Sequence, residues 1–213
     1  TDRSADMGMD EHRLSDILHA SQIKATNIYE TPPQIIWIDN STIATLGNFS
    51  ASTGKAKSKK TFNVSALVAA SLAGKQVLNY RAHLPEGKQR ILYVDTEQSR
   101  FHCRSVLERI LRLAGLPTTT DPENLDFFCL REYSPSVRIE VIDYALRQQK
   151  GYGLVIIDGI RDLMLDINNA GESVEVINRM MEWSSRYDLH IHCVRHLNKG
   201  DNNVRGHIGT EMS

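Results

Sequence analysis

Four lysines fall within the eight residues GKAKSKKT, from Gly54 to Thr61, and the chain turns apolar directly afterwards. A glycine followed by cationic and hydroxyl side chains, set between an apolar run and a helix-forming run, suits the holding of a multiply charged anion. The first N–H groups of a helix point outward unpaired, and the helix end carries partial positive charge. Gly54, Lys55, Ala56, Lys57, Ser58, Lys59, Lys60, Thr61 and Phe62 are therefore the candidate anion-binding residues. Two carboxylates can complete such a site: Asp158 closes the apolar run LVIID, and Glu97 follows ILYVD. At and beyond the end of LHIHCVRH stand His196, Asn198 and, in the polar segment KGDNNVRGHIGT, Arg205. The same lysines can instead meet nucleic-acid phosphates or face water.

The spacing follows the phosphate-loop pattern G-x-x-x-x-G-K-[ST] at every fixed position but one. Lys59 stands where the second glycine is expected. Glycine there lets the backbone approach phosphate closely, whereas lysine requires helical dihedrals and brings an ammonium with it. On this pattern Lys60 reaches the β- and γ-phosphates of ATP and the Thr61 hydroxyl ligates magnesium. Asp158 then has the place of a Walker B acid, acting on the same ion through water. Taken singly, Asp158 also fits a turn or helix cap, and Glu97 fits a helix N-terminal acid favoured by the dipole.

These groups need elements to carry them, and the chain alternates strand and helix in the manner of parallel βαβ units. Strand TIATLGNFS leads to the lysine-rich loop and the helix TFNVSALVAASLAG. Strand Arg90 to Asp95 precedes a helix from about Ser99 to Ala114, stopped by Gly115 and Pro117. Strand Leu125 to Leu130, a helix from about Ser136 to Gln149, strand Gly153 to Asp158, a helix from about Glu172 to Tyr187 and strand Leu189 to His196 follow. Ahead of them, Leu14, Ile17 and Leu18 mark an amphipathic helix within residues 10 to 27, and Asp39 with Asn40 divides a hairpin. Residues 1–40 read as a helix and hairpin extension and residues 41–213 as the main domain, with sequence continuing past both ends.

The formal charge of −1, from 25 basic and 26 acidic residues, excludes a globally basic nucleic-acid coat. Cys103, Cys129 and Cys193 are widely spaced and form no CxxC pair, which reads as reduced thiols in a cytoplasmic protein. No apolar run approaches the roughly 20 residues of a membrane span. His190, His192 and His196 alternate, so they face one side of their strand. A strand between helix layers buries such side chains against hydrogen-bond partners, and no zinc site is read there. Serine-hydrolase and dinucleotide motifs are lacking. Val174, Ile177, Met180, Met181 and Trp183 read as the core face of their helix, and Arg104, Glu108, Arg109 and Arg112 as a solvated face.

Tyr93-Val94-Asp95-Thr96-Glu97 resembles the RecA-like family of P-loop ATPases, whose catalytic glutamate follows that strand; Glu97 is the matching residue. The resemblance implies a three-layer α/β/α fold in which the strand ending near His196 lies between the phosphate-loop strand and the Asp158 strand. It also implies a γ-phosphate sensor at His196 or Asn198, and for Arg205 either a finger into a neighbouring subunit's site or a DNA-facing role. TLGNFSASTGKAKSKKTF, YVDTEQSR, VIIDGIRDL and HLNKGDNNVRGHIGTE are similar to ATPase-domain proteins of mobilizable elements and prophages in Bacteroides-type bacteria. These are related in fold to hexameric plasmid replicative helicases. The similarity covers roughly residues 35–213 and implies ATP-driven work on DNA in a ring or filament. The alternative is a non-catalytic DNA-binding or regulatory module on the same scaffold, which the Lys59 departure favours.

Overall fold

The computed structural model describes residues 10–55, 60–164 and 170–197, with the backbone alone at 54, 55, 60, 170, 196 and 197. Thr1–Thr31 and Pro32–Ser213 form two separate compact units. In the first, helix α1 (Glu11–Ser21) is capped by Asp10, whose carboxylate accepts the His12 N–H at 3.2 Å, and none of its residues is buried. The helix stops well short of residue 27.

In the second unit β1 (Gln34–Ile38) and β2 (Ser41–Thr45) form the expected antiparallel hairpin. The strand read as TIATLGNFS is in fact two. Gly47, at φ +74°, turns the chain after β2, and β3 (Phe49–Lys55) begins beyond it in a different sheet. Only glycine takes that dihedral without strain. β4 (Tyr80–Ala82), too short to show a period, adds to the hairpin in the order β2-β1-β4. Ile35 and Ile36 are fully buried in one cluster with the helix α2 (Lys60–Ala73). The compact unit thus begins at Pro32, and a boundary after residue 40 would cut through this small sheet.

The main sheet is built from β3, β5 (Arg90–Asp95), β6 (Leu125–Cys129), β7 (Tyr152–Asp158) and β8 (His190–Leu197), in the order β3-β8-β7-β5-β6. Every pairing is parallel. β8, the last strand of the described residues, sits between β3 and β7, as the resemblance implied. Ile91, Tyr93, Leu154, Ile156 and Val194 face α2 and α3 (Arg100–Ala114) in one core. Leu92, Val94, Val155, Ile157, Ile191 and Cys193 face α4 (Pro135–Gln148) and α5 (Ala170–Arg186) in the other. β7 is buried along its whole length, which explains its unbroken apolar run. On α5, Val176, Ile177, Met180 and Trp183 are buried while Val174 and Met181 are exposed, so the core face is narrower than the apolar composition indicated. On α3, Arg104 and Arg112 flank Glu108 at 3.0 and 3.1 Å as an exposed ion-pair row.

Candidate functional site

All five main strands point the same way, so their C-terminal ends share one edge, where open parallel sheets hold ligands. Strand register fixes who meets whom there. Asp95 is level with Asp158, Asp158 with Val194, Val194 with Ser52, and Gly54 with His196. The C-terminal ends of β5 and β7 therefore adjoin, and that of β3 lies on the same edge beyond β8.

Asp158 is 2% exposed. Its Oδ2 accepts the Tyr93 hydroxyl at 2.9 Å. The Tyr93 ring is stacked on Phe127, with centroids 4.2 Å apart and planes 8° from parallel. Burial, and next the charge of Asp158, hold the Tyr93 phenol well above its ordinary range, so it remains a neutral donor.

Asp95 is fully buried. Its Oδ1 accepts the backbone N–H groups of Glu97 and Gln98 at 3.0 and 2.7 Å, and its Oδ2 accepts Gln98 Nε2 at 2.8 Å. This Asx-type turn presents Glu97, whose side chain is exposed, at the approach to α3. Burial above all, with the neighbouring Asp158 charge, raises the Asp95 carboxyl above its ordinary value, against the pull of the Gln98 and Glu97 amides.

Thr96 ties this turn to the next loop. Its N–H donates to Asp158 O at 3.0 Å. Its hydroxyl lies 2.8 Å from Gly159 O, 3.0 Å from Asp158 O and 3.1 Å from Asp162 Oδ2. The close approach requires glycine at 159, where φ is +98° and a β-carbon would sit 2.3 Å from Thr96 Oγ1.

Deeper on the same face runs a chain of polar side chains. His190 Nδ1 lies 2.8 Å from Thr45 O, and a carbonyl only accepts, so that nitrogen carries the proton. His190 Nε2 then accepts the Ser50 hydroxyl at 2.8 Å. Ser50 Oγ in turn accepts His192 Nδ1–H at 2.8 Å, and His192 Nε2 accepts the Ser52 hydroxyl at 2.9 Å. Burial, foremost, lowers both imidazoles to about 4. The chain sutures β3, which leads to the candidate anion-binding segment, to β8, which carries the candidate sensor residue His196.

Of the residues proposed from the sequence, Glu97 and Asp158 leave the sheet through adjoining loops. Thr61 is half-buried in the first turn of α2, and Phe62 is 40% exposed there. The backbones of Gly54, Lys55, Lys60 and His196 are placed on the same edge, in β3, α2 and β8. Ala56, Lys57, Ser58, Lys59, Asn198 and Arg205 lie outside the described residues. Tyr93, Asp95, Thr96 and Gly159 were not proposed. An aspartate two residues before a candidate acid, at a strand-to-helix junction, is the signal that points to the Asx turn. Cys103 and Cys129, distant in sequence, both direct their thiols to Gln98 O, at 3.7 and 3.3 Å.

A parallel five-stranded sheet between helix layers, with its first strand running into the helix that follows a phosphate-loop motif, defines a RecA-like P-loop NTPase fold. The family model AAA_25, an AAA domain, matches residues 14–202, and the chain belongs to that family of P-loop ATPase domains. No curated protein matches the chain. Among the described residues no helix is long and apolar enough to cross a membrane.

Proposed function

We propose that this protein binds ATP with magnesium between the Gly54–Thr61 segment and the loops after β5 and β7, and hydrolyses the β–γ bond to drive work on DNA. The observation that carries the reading is the register of β5 and β7, which levels Asp95 with Asp158 at the edge where β3 passes into α2. Membership of an ATPase-domain family supports nucleotide as the ligand.

The available donors suit magnesium, a hard cation that takes oxygen ligands. The Asp158 carboxylate and the Thr61 hydroxyl are the groups that would hold it. Once bound, the ion offsets phosphate charge as the terminal phosphoryl group leaves. Lys60 places an ammonium on the same phosphates, and Glu97 accepts a hydrogen bond from the attacking water and orients it. His196 or Asn198 reads the γ-phosphate, and Arg205 completes a neighbouring subunit's site or faces DNA. Most of the rate enhancement comes from positioning and charge.

The DNA-directed role, in excision, mobilization or replication of a mobile element by a ring or filament, rests on the resemblance described above. A regulatory module that keeps nucleotide without turning it over is the second reading, favoured by Lys59. ATP turnover with and without single-stranded DNA, recorded with the molecular mass in solution, separates the two. Turnover that rises with DNA in an assembled species is the expected result. Nucleotide uptake with no turnover in any assembly state supports the regulator.

A further inference from the structure

We infer that Tyr93 is a positioning residue for the magnesium-dependent step, setting the plane of the Asp158 carboxylate from beneath. The inference rests on the role proposed above for Asp158. It begins with the immediate neighbours of Tyr93: the side chain is fully buried among the apolar residues Ile91, Leu154, Ile156 and Val194 on its sheet face. A phenylalanine would fill that space, so the hydroxyl is there for its partner, and that partner is Asp158 Oδ2 at 2.9 Å.

The geometry suits a fixed brace. Tyr93 is level with Ile156 on the adjoining strand, so Asp158 lies one pleat further toward the C-terminal edge, on the same face. The phenol spans that step. Its ring is clamped on Phe127 of β6 in a near-parallel stack at 4.2 Å, so the hydroxyl is located by β5 and β6 rather than by a mobile loop. A carboxylate turns easily about its last torsion. A bond to one oxygen from a clamped neutral donor removes that freedom and presents the group in one orientation. Outer-shell donors of this kind typically alter metal affinity by about 10–100-fold when removed. The lower end applies where the acid acts through water.

The test uses the complete chain with Tyr93→Phe, which keeps the ring and its stack. Thermal stabilisation by a non-hydrolysable ATP analogue is followed across a magnesium titration and in EDTA, so the readout is binding and not turnover. The expected result is a roughly tenfold higher magnesium concentration at half effect. Analogue affinity in EDTA should stay within about twofold, because phosphate-loop contacts are retained. Combining Tyr93→Phe with Asp158→Asn should shift the midpoint no further than Asp158→Asn alone, since both act through one carboxylate.

A merely structural tyrosine would lower the melting temperature of the free protein and leave the magnesium midpoint unchanged, and that outcome overturns the inference. If Tyr93→Phe does not fold, Phe127→Leu decides. It keeps the hydroxyl but releases the ring, and an unchanged midpoint there overturns the inference equally. Absence of any magnesium-dependent stabilisation in the wild-type protein refutes the ATP reading itself, which distinguishes the two failures.

Discussion

Glu97→Gln is expected to lower ATP turnover by at least about 100-fold, the effect of removing a positioned general base, while nucleotide binding changes little. The substitution keeps size and hydrogen bonding and removes only the charge that draws a proton from water. Asp95 holds the turn through the backbone N–H groups of residues 97 and 98, which the glutamine variant retains. The Glu97 side chain is exposed, so the substitution should change folding stability by no more than about 0.5 kcal/mol. A steady-state assay paired with analogue binding checks this. Turnover equal to wild type would remove Glu97 from the chemistry. A protein with no turnover to lose would return the assignment to a regulatory module.

Acidification is expected to produce the largest change in stability. The folded state keeps His190 and His192 neutral down to about pH 4, whereas the unfolded chain protonates both near pH 6.5. Their folded values lie below their unfolded ones, so between these limits the unfolded chain binds more protons and stability rises with pH. The contribution is fully present above about pH 6.5 and is lost as the pH falls toward 4. The difference amounts to on the order of 3 kcal/mol per histidine by pH 4. Chemical unfolding from pH 8 to pH 4 measures it. The double variant His190→Gln, His192→Gln should be less stable at pH 8, because the serine chain loses partners, yet show a flatter dependence between pH 6.5 and 4. Equal slopes in the two proteins would mean that other groups carry the acid lability. Since this chain links β3 to β8, nucleotide binding should weaken over the same range.

The strand and helix alternation from β5 onward was legible because each element carries its own period and its own stop signal, such as Gly115 at φ +77° ending α3. The interior place of β8 came from family resemblance, since hydropathy says nothing about neighbours in a sheet. What local pattern hid was set by register between distant segments. Ser50 and His192 lie 142 residues apart, so nothing near either residue announces their hydrogen bond. Tyr93 and Asp158 are separated by 65 residues and meet only because β5 pairs with β7. The thiols of Cys103 and Cys129 meet at Gln98 for the same reason, and their spacing had concealed it. The split of one expected strand into β2 and β3 turned on a single dihedral at Gly47. The site was legible as a list of acids and a loop, and its supporting layer was not.

The central claim is that the Gly54–Thr61 segment binds ATP with magnesium, and the thermal melt of wild type against Lys60→Ala tests it most directly. With ATP at about 100 times its dissociation constant, the wild-type protein should gain about 2.7 kcal/mol. That is roughly 5–10 °C for a domain of this size. Lys60→Ala should melt alike without nucleotide and gain little from the same addition. A wild-type melting temperature unmoved by saturating ATP and magnesium, or a gain retained in full by Lys60→Ala, would contradict the account.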